Sequence, residues 1–310
     1  MNQDFFSLTV LIGILTSGVR LATPYLYAAL GEMLGQRSGV LNLGVEGQML
    51  MGAFAAFYVT YVTGNLGWGV LAALLVGAIM GLAMAFVTVH LQAQQGISGI
   101  GFYLFGLGLS DLLFQKLIGT VRTVSGFPKI VLPVLGQIPF LGEIFFQHNL
   151  LVYLAYLLVP LAWFLLYKTT LGLKIRAVGE NPQAADSLGV SVARVRYFTI
   201  ILGGVLSALG GASLSVGLLN VFQQNMTSGM GFIAVALVYF GAWRPLGVLL
   251  GAWIFSMINA LQLWMQILGV PIPSDIAIML PYVMTILVLV FAASRTRAPA
   301  ALTKPFTREG

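Results

Sequence analysis

Apolar runs of about 20 residues, the length that crosses a bilayer as a helix, follow one another along nearly the whole chain with short polar breaks between them. Residues 5–35 are apolar but interrupted by Gly13, Gly18, Arg20 and Pro24, and their length fits either one strongly tilted span or a broken pair. The glycine-rich polar stretch 35–48 leads into a second span at about 43–63. Irregular backbone at membrane depth is tolerated only where protein or a cavity covers it, so a broken or partly re-entrant helix is expected there. Further spans are predicted at about 68–91, 97–117, 150–167, 195–218, 246–268 and 276–293, with a shorter apolar piece at 229–243 that stops at Arg244 and Pro245. The longest break, 118–149, holds Pro128, Pro133 and Pro139 and predicts a structured external loop with a helix at the interface. Ala73, Gly77, Gly81 and Ala85 in one span, and Gly203, Ser207, Gly211 and Ser215 in another, recur every four residues, the small-residue pattern that lets helix backbones approach closely. The fold class is an all-α polytopic membrane protein, with residues 1–310 as a single transmembrane domain.

The break at 168–197 differs from the others. Lys168, Lys174, Arg176, Arg194 and Arg196 stand there against only Glu180 and Asp186. Its core carries the local signals of a short helix. Asn181 is the N-cap, Pro182 takes the first helical position, Ala184, Ala185 and Leu188 form an apolar face, and Gly189 ends it. A capped helix between two basic clusters is more than a connecting loop needs, and it predicts a surface on which another protein docks.

Composition narrows the function classes. The chain is 59% hydrophobic and 8% charged, far from the roughly one-quarter charged content of soluble domains. The net charge of +6 sits at the ends of apolar runs, which is the positive-inside signal and not a nucleic-acid surface. The segment 168–197 and the tail with Arg295, Arg297, Lys304 and Arg308 are therefore assigned to the cytoplasm and the loop 118–149 to the outside. The C-terminus is inside if 229–243 crosses fully. Absence of cysteine excludes disulfides, thiolate metal sites and a cysteine nucleophile. No basic segment precedes the first apolar run, so that run is expected to stay as an anchor.

There is no G-x-x-x-x-G-K-[ST] loop and no dinucleotide fingerprint, so the chain is not expected to hydrolyse ATP itself. His90 and His148 lack neighbouring ligands, which gives no metal site and no hydrolytic triad. The sequon at Asn225 carries no weight. Ionisable residues within spans usually face a cavity or a partner, and Glu32, Glu46 and Asp111 are the candidates. Glu46, between Gly44 and Gly47, is either a pathway or gate residue or a carboxylate bonded to freed backbone in a broken helix. Asp111, with Gln115 and Lys116 close by, reads as a satisfied polar cluster. Asn259, Gln262 and Gln266 share one helix face and suit either a neutral polar solute or interhelical hydrogen bonds. No chain of buried carboxylates of the kind that drives ion-coupled carriers is present. A stand-alone secondary transporter nevertheless stays open on the residues alone.

Two stretches resemble a known family. Arg176 to Pro182, Ala184, Ala185, Leu188 to Val192 and Arg196 resemble the cytoplasmic coupling segment of permeases in the ribose and branched-chain amino acid branch of bacterial ABC importers. Arg37 to Met49, with Asn42, Glu46 and Gln48, and then Gly52 to Phe54, resemble a subgroup that imports nucleosides and simple sugars alongside a basic-membrane-protein type lipoprotein. The resemblance covers nearly the whole chain, including Gly241 to Gly247. It implies a type II importer fold like that of the vitamin B12 importer, with nine or ten membrane helices. It further implies an ATPase-coupling role for Arg176, Glu180, Asn181, Pro182, Ala184, Ala185, Asp186, Leu188 and Gly189; the pathway or gate candidates are Asn42, Glu46, Gln48, Asn259 and Gln262. Expected partners are a second, unlike permease, a cytoplasmic ATPase that carries the ATP and Mg, an external substrate-binding lipoprotein and a small neutral solute. No cofactor is expected on this chain, and the location implied is the bacterial inner membrane.

Overall fold

The computed structural model describes residues 7–269 and 297–307, with Met279, Val283 and Ile286 between them. The span expected at 276–293 otherwise lies outside the described residues, as do Arg295 and Arg308.

Helix α1, Leu8–Arg37, is a single 30-residue helix capped by the Ser7 hydroxyl, and it passes through Pro24 without ending. That decides the question left open for residues 5–35. Neighbouring helices cover a span and tolerate the backbone group that proline frees. Residues 38–44 then leave helical geometry while staying largely buried, and α2, Val45–Thr63, starts immediately after them. Helix α3, Leu66–Ala85, is capped by Asn65 and runs on through a π-helical stretch, Phe86–His90, and α4 follows at Gln95–Leu117.

The loop 118–149 is structured, as its prolines predict. Strand β1, Lys129–Val131, pairs antiparallel with β2, Gln147–Asn149, with Ile130 opposite His148. The helix expected at the interface is only α5, Leu141–Phe145. Val124 N donates to Asn220 O at 3.0 Å and Phe127 N to Val216 O at 3.1 Å, which ties the loop to the end of the sixth predicted span. Buried His148 holds Ile144 O through Nε2 at 2.8 Å, and burial, aided by Arg20 and Lys129, holds its pKa below the ordinary value.

The second half contains α6, Leu150–Lys168, α7, Thr170–Glu180, α8, Pro182–Ser187, α9, Val192–Ala212 with a π-helical continuation Ser213–Leu218, α10, Met230–Phe240, and α11, Pro245–Ile267. Six of the described helices, α1, α3, α4, α6, α9 and α11, are long and apolar enough to cross a membrane, and α10 is a shorter apolar helix. Helix α9 is central and packs against α1, α2 and α3. Both small-residue faces are buried as the spacing predicts. A Cβ on Gly77 would lie 2.5 Å from Gly204 O, and one on Gly204 2.5 Å from Gly77 O, so α3 and α9 touch backbone to backbone.

Candidate functional site

The irregular stretch between α1 and α2 is a polar junction built almost entirely from its own side chains. Gln36 Nε2 donates to Glu32 Oε1 at 2.8 Å, and the Asn42 amide donates to the same oxygen at 3.0 Å. Gln36 Oε1 accepts from Trp243 Nε1 at 2.7 Å, while Arg37 Nε donates to Trp243 O at 2.8 Å. Asn42 Oδ1 accepts from Gly44 N at 2.9 Å, and Asn42 Nδ2 donates to Gln48 Oε1 at 3.1 Å. Gln95 Oε1 of α4 accepts from Leu41 N at 2.8 Å. Buried polar groups of a broken helix must find partners, and this junction finds them internally and from α4 and the α10–α11 turn. Gln48 Nε2 is buried with no protein partner.

Glu46 is 1% exposed and faces the start of α10. Its Oε1 accepts from Thr227 Oγ1 at 2.6 Å and from Gly229 N at 2.7 Å, and its Oε2 accepts from Gly231 N at 2.5 Å. A carboxylate there satisfies amides that the helix cannot satisfy itself and sits at the positive end of its dipole. Glu46 thus caps a helix 185 residues further along the chain. A Cβ on Gly231 would lie 2.5 Å from Glu46 Cα, so only glycine lets α10 approach this closely.

Asn259 and Gln262 are not part of this cluster. They lie on α11 where it packs along α1, between the Met257 contact with Gly18 and the Trp264 contact with Gly13. Gln262 is buried, Asn259 half-buried and Gln266 exposed. The structure therefore divides the five pathway candidates into a junction group, Asn42, Glu46 and Gln48, and an α11 group. The polar tie between α11 and α1 that the sequence reading missed is Trp264 Nε1 donating to Ser17 Oγ at 3.2 Å. Asp111 has one carboxylate oxygen buried without a partner, so the satisfied cluster predicted around it is incomplete.

The segment 168–197 folds as two helices. Helix α7, capped by Thr169 Oγ1 on Gly172 N at 3.1 Å, was not predicted. It buries Gly172, Ile175, Val178 and Gly179 on one side and leaves Leu173, Lys174 and Glu180 exposed. The predicted capping of α8 is present. Asn181 Oδ1 accepts from Ala184 N at 3.0 Å, Pro182 occupies the first turn, and Gly189 ends the helix at φ +82°. The apolar face needs a correction. Ala185 is buried among residues of its own chain and Ala184 is exposed, while Leu188 is 85% exposed. Position 185 lies about 100° around the helix from 184 and turns onto the chain, while Leu188 follows the six-residue helix as its C-cap and points away. Asp186 is partly buried, and Arg176 lies over the Tyr167 ring at 5.2 Å.

Two ties anchor this segment to the junction. Gly179 packs on Arg37 O so closely that a side chain would collide with it. Arg196, 2% exposed, donates through Nε to Ser38 O and through Nη1 to Lys304 O, both at 3.2 Å. The tail closes the assembly, with Ala301 N on Gly179 O at 2.9 Å and Thr303 N on Gly39 O at 3.2 Å.

Among the described residues no group of acidic or histidine side chains could hold a metal ion. No solved structure matches the chain. Curated relatives match it end to end. TsgC13 of Haloferax volcanii, provisionally named a glucose ABC transporter permease, is 40% identical over 96% of this chain and 98% of its own. NupQ of Bacillus subtilis, a guanosine ABC transporter permease, is 36% identical over 93% and 94%. NupC of Lactococcus lactis, a nucleoside ABC transporter permease, is 35% identical over 90% and 92%. The family described as branched-chain amino acid transport system / permease component matches residues 14–289, and the chain belongs to that permease family.

Proposed function

We propose that this chain is one of two unlike permease subunits in an ATP-driven importer of nucleosides, with the segment 168–197 facing the cytoplasm as the surface on which the ATPase acts. The observation that carries this reading is the build of that segment. A two-helix unit is fixed through Gly179, Arg196 and the tail to the junction between α1 and α2, and it presents a leucine 85% exposed at its tip. An exposed leucine on a segment that also exposes the basic residues Lys174 and Arg194 is a contact waiting for a partner with its own apolar pocket.

Motion of α8 would pass to the junction through Gly179 and Arg37, and from there to α10 through Glu46. In this mechanism Glu46 acts as a gate by holding or releasing the start of α10, not by touching solute. Asn42 and Gln48 belong to the same moving part. An external lipoprotein would deliver the solute, and ATP and Mg would bind on the ATPase. The names of NupQ and NupC favour a nucleoside. The name of TsgC13 supports a second reading, a simple sugar, and both are neutral polar solutes.

The test is affinity purification of the full chain from its native membrane, followed by uptake in reconstituted vesicles. An ATPase and a second permease should co-purify, and uptake of labelled guanosine should require ATP. Uptake that needs no ATP and collapses with the ion gradient would replace this reading with a stand-alone carrier. Uptake of glucose in place of guanosine would select the sugar reading.

A further inference from the structure

A cavity of about 730 Å³ lies between the last turn of α6, the side of α7 and the turn that joins α10 to α11. Arg37, Arg176 and Arg244 line it, together with Trp163, Tyr167 and Leu246. No carboxylate is among the lining residues, and none of the three arginines pairs with an acid among the described residues. Arg37 is held at the wall by its Nε bond to Trp243 O. Arg176 Nε is buried without a hydrogen-bond partner, and its guanidinium rests on the Tyr167 ring. Three like charges gathered at one cavity in an apolar protein repel one another unless an anion joins them. Guanidinium groups fit a phosphate best, because their planar donors pair with two of its oxygens.

The surroundings say which phosphate. From the cavity mouth, α6 exposes Phe164, Leu161, Leu157 and Leu154 at helical spacing. Helix α11, which packs on α6, exposes Leu246, Leu250 and Ile254. Both apolar stripes run away from the arginines in the direction of the membrane interior. Lys168 sits 5.6 Å over the Trp163 ring beside the cavity, an aromatic and cationic pairing typical of the headgroup level. We propose that this cavity binds the phosphate-bearing headgroup of an anionic phospholipid, whose acyl chains lie on the two stripes. The proposal rests on reading the basic end of the molecule as its cytoplasmic end, and not on the substrate or the ATPase.

The experiment is lipid retention by the purified full chain, read by native mass spectrometry. Phosphatidylglycerol and phosphatidylcholine with identical acyl chains are offered in equal amount. Phosphatidylglycerol should be retained preferentially. Arg244→Gln, at an exposed position, should weaken its retention about fivefold, and adding Arg176→Gln should weaken it by about the same factor again. Lys174→Gln with Arg194→Gln removes equal charge outside the cavity and should leave retention unchanged. Equal retention of both lipids, equal loss in the control pair, or no loss in the cavity variants would overturn the proposal. Displacement of the lipid by inorganic phosphate, with phosphate held by the lipid-free chain, would make the site one for free phosphate and overturn the lipid assignment. Unchanged lipid retention with weakened ATPase capture would make it a protein contact instead. If no ATPase co-purifies at all while the lipid pattern holds, the transporter reading fails and this one stands.

Discussion

At the scale of single residues, Glu46 carries the most consequence. Its two oxygens meet three donors, Thr227 and Gly229 before α10 and Gly231 in its first turn, and a neutral amide cannot do the same, because one of its ends is itself a donor. Glu46→Gln should therefore lower the stability of the purified protein by about 2 kcal/mol, the worth of a lost charged hydrogen bond plus an unsatisfied amide. Hydrogen exchange should rise first at Gly229 and Gly231, and unchanged exchange there would refute the capping role. The sequence marks Glu46 as unusual, a carboxylate between two glycines at the start of a span. It does not reveal the partner, since Thr227 and Gly231 lie some 180 positions away and nothing in their own pattern announces a missing cap. Ala185 shows the opposite failure. Its neighbours all suggest an outward face, and only the packing of α8 on its own chain turns it inward.

At the scale of elements, most spans were legible because an apolar run of the right length has few alternatives in a bilayer, but α2, predicted as a span, is a helix that is not among the six apolar enough to cross. Helix α7 was not, because Lys174 and Arg176 break the eye's periodicity although Gly172, Ile175, Val178 and Gly179 keep it. The division of labour within α8 can be separated experimentally. Leu188→Glu should leave folding intact and reduce stimulation of the ATPase by about tenfold or more, the loss typical of a central contact residue. Ala185→Trp should instead destabilise the protein by about 2–3 kcal/mol through overpacking, whatever it does to coupling. Thermal unfolding and ATPase stimulation, measured side by side, check both. A Leu188→Glu variant with full stimulation would remove α8 from the interface. The small-residue faces of α3 and α9 were readable in full, because spacing alone dictates which positions can meet.

At the scale of the whole molecule, the proposed orientation follows from charge asymmetry alone, and the structure gathers α7 and α8, the junction, the tail and the arginine-lined cavity at one basic end, with the loop 118–149 at the other. The absence of cysteine makes the orientation directly measurable. Val134→Cys, in a loop residue 77% exposed, should react with a membrane-impermeant maleimide on intact cells. Ser187→Cys should react only after the membrane is opened. The reverse pattern would invert the topology and place the segment 168–197 outside. Neither the junction's network nor the cavity could be inferred beforehand, because the first draws together α1, α4 and the α10–α11 turn and the second α1, α6, α7 and the same turn, which meet only in three dimensions.

The bonds from Ala301 to Gly179 and from Thr303 to Gly39 have a consequence for the order of events during synthesis. Residues 301–304 leave the ribosome after α1 through α11 have been made. The contacts of Gly179 with Arg37 and of Arg196 with Ser38 can form without the tail, but its clasp across α7 and the junction closes only after translation has passed the helices. A chain truncated ahead of residue 301 would keep its helices but lose the bonds that hold Gly179 and Gly39 together from the tail side, so the arrangement of α7 against the junction is the last part of the molecule to be secured.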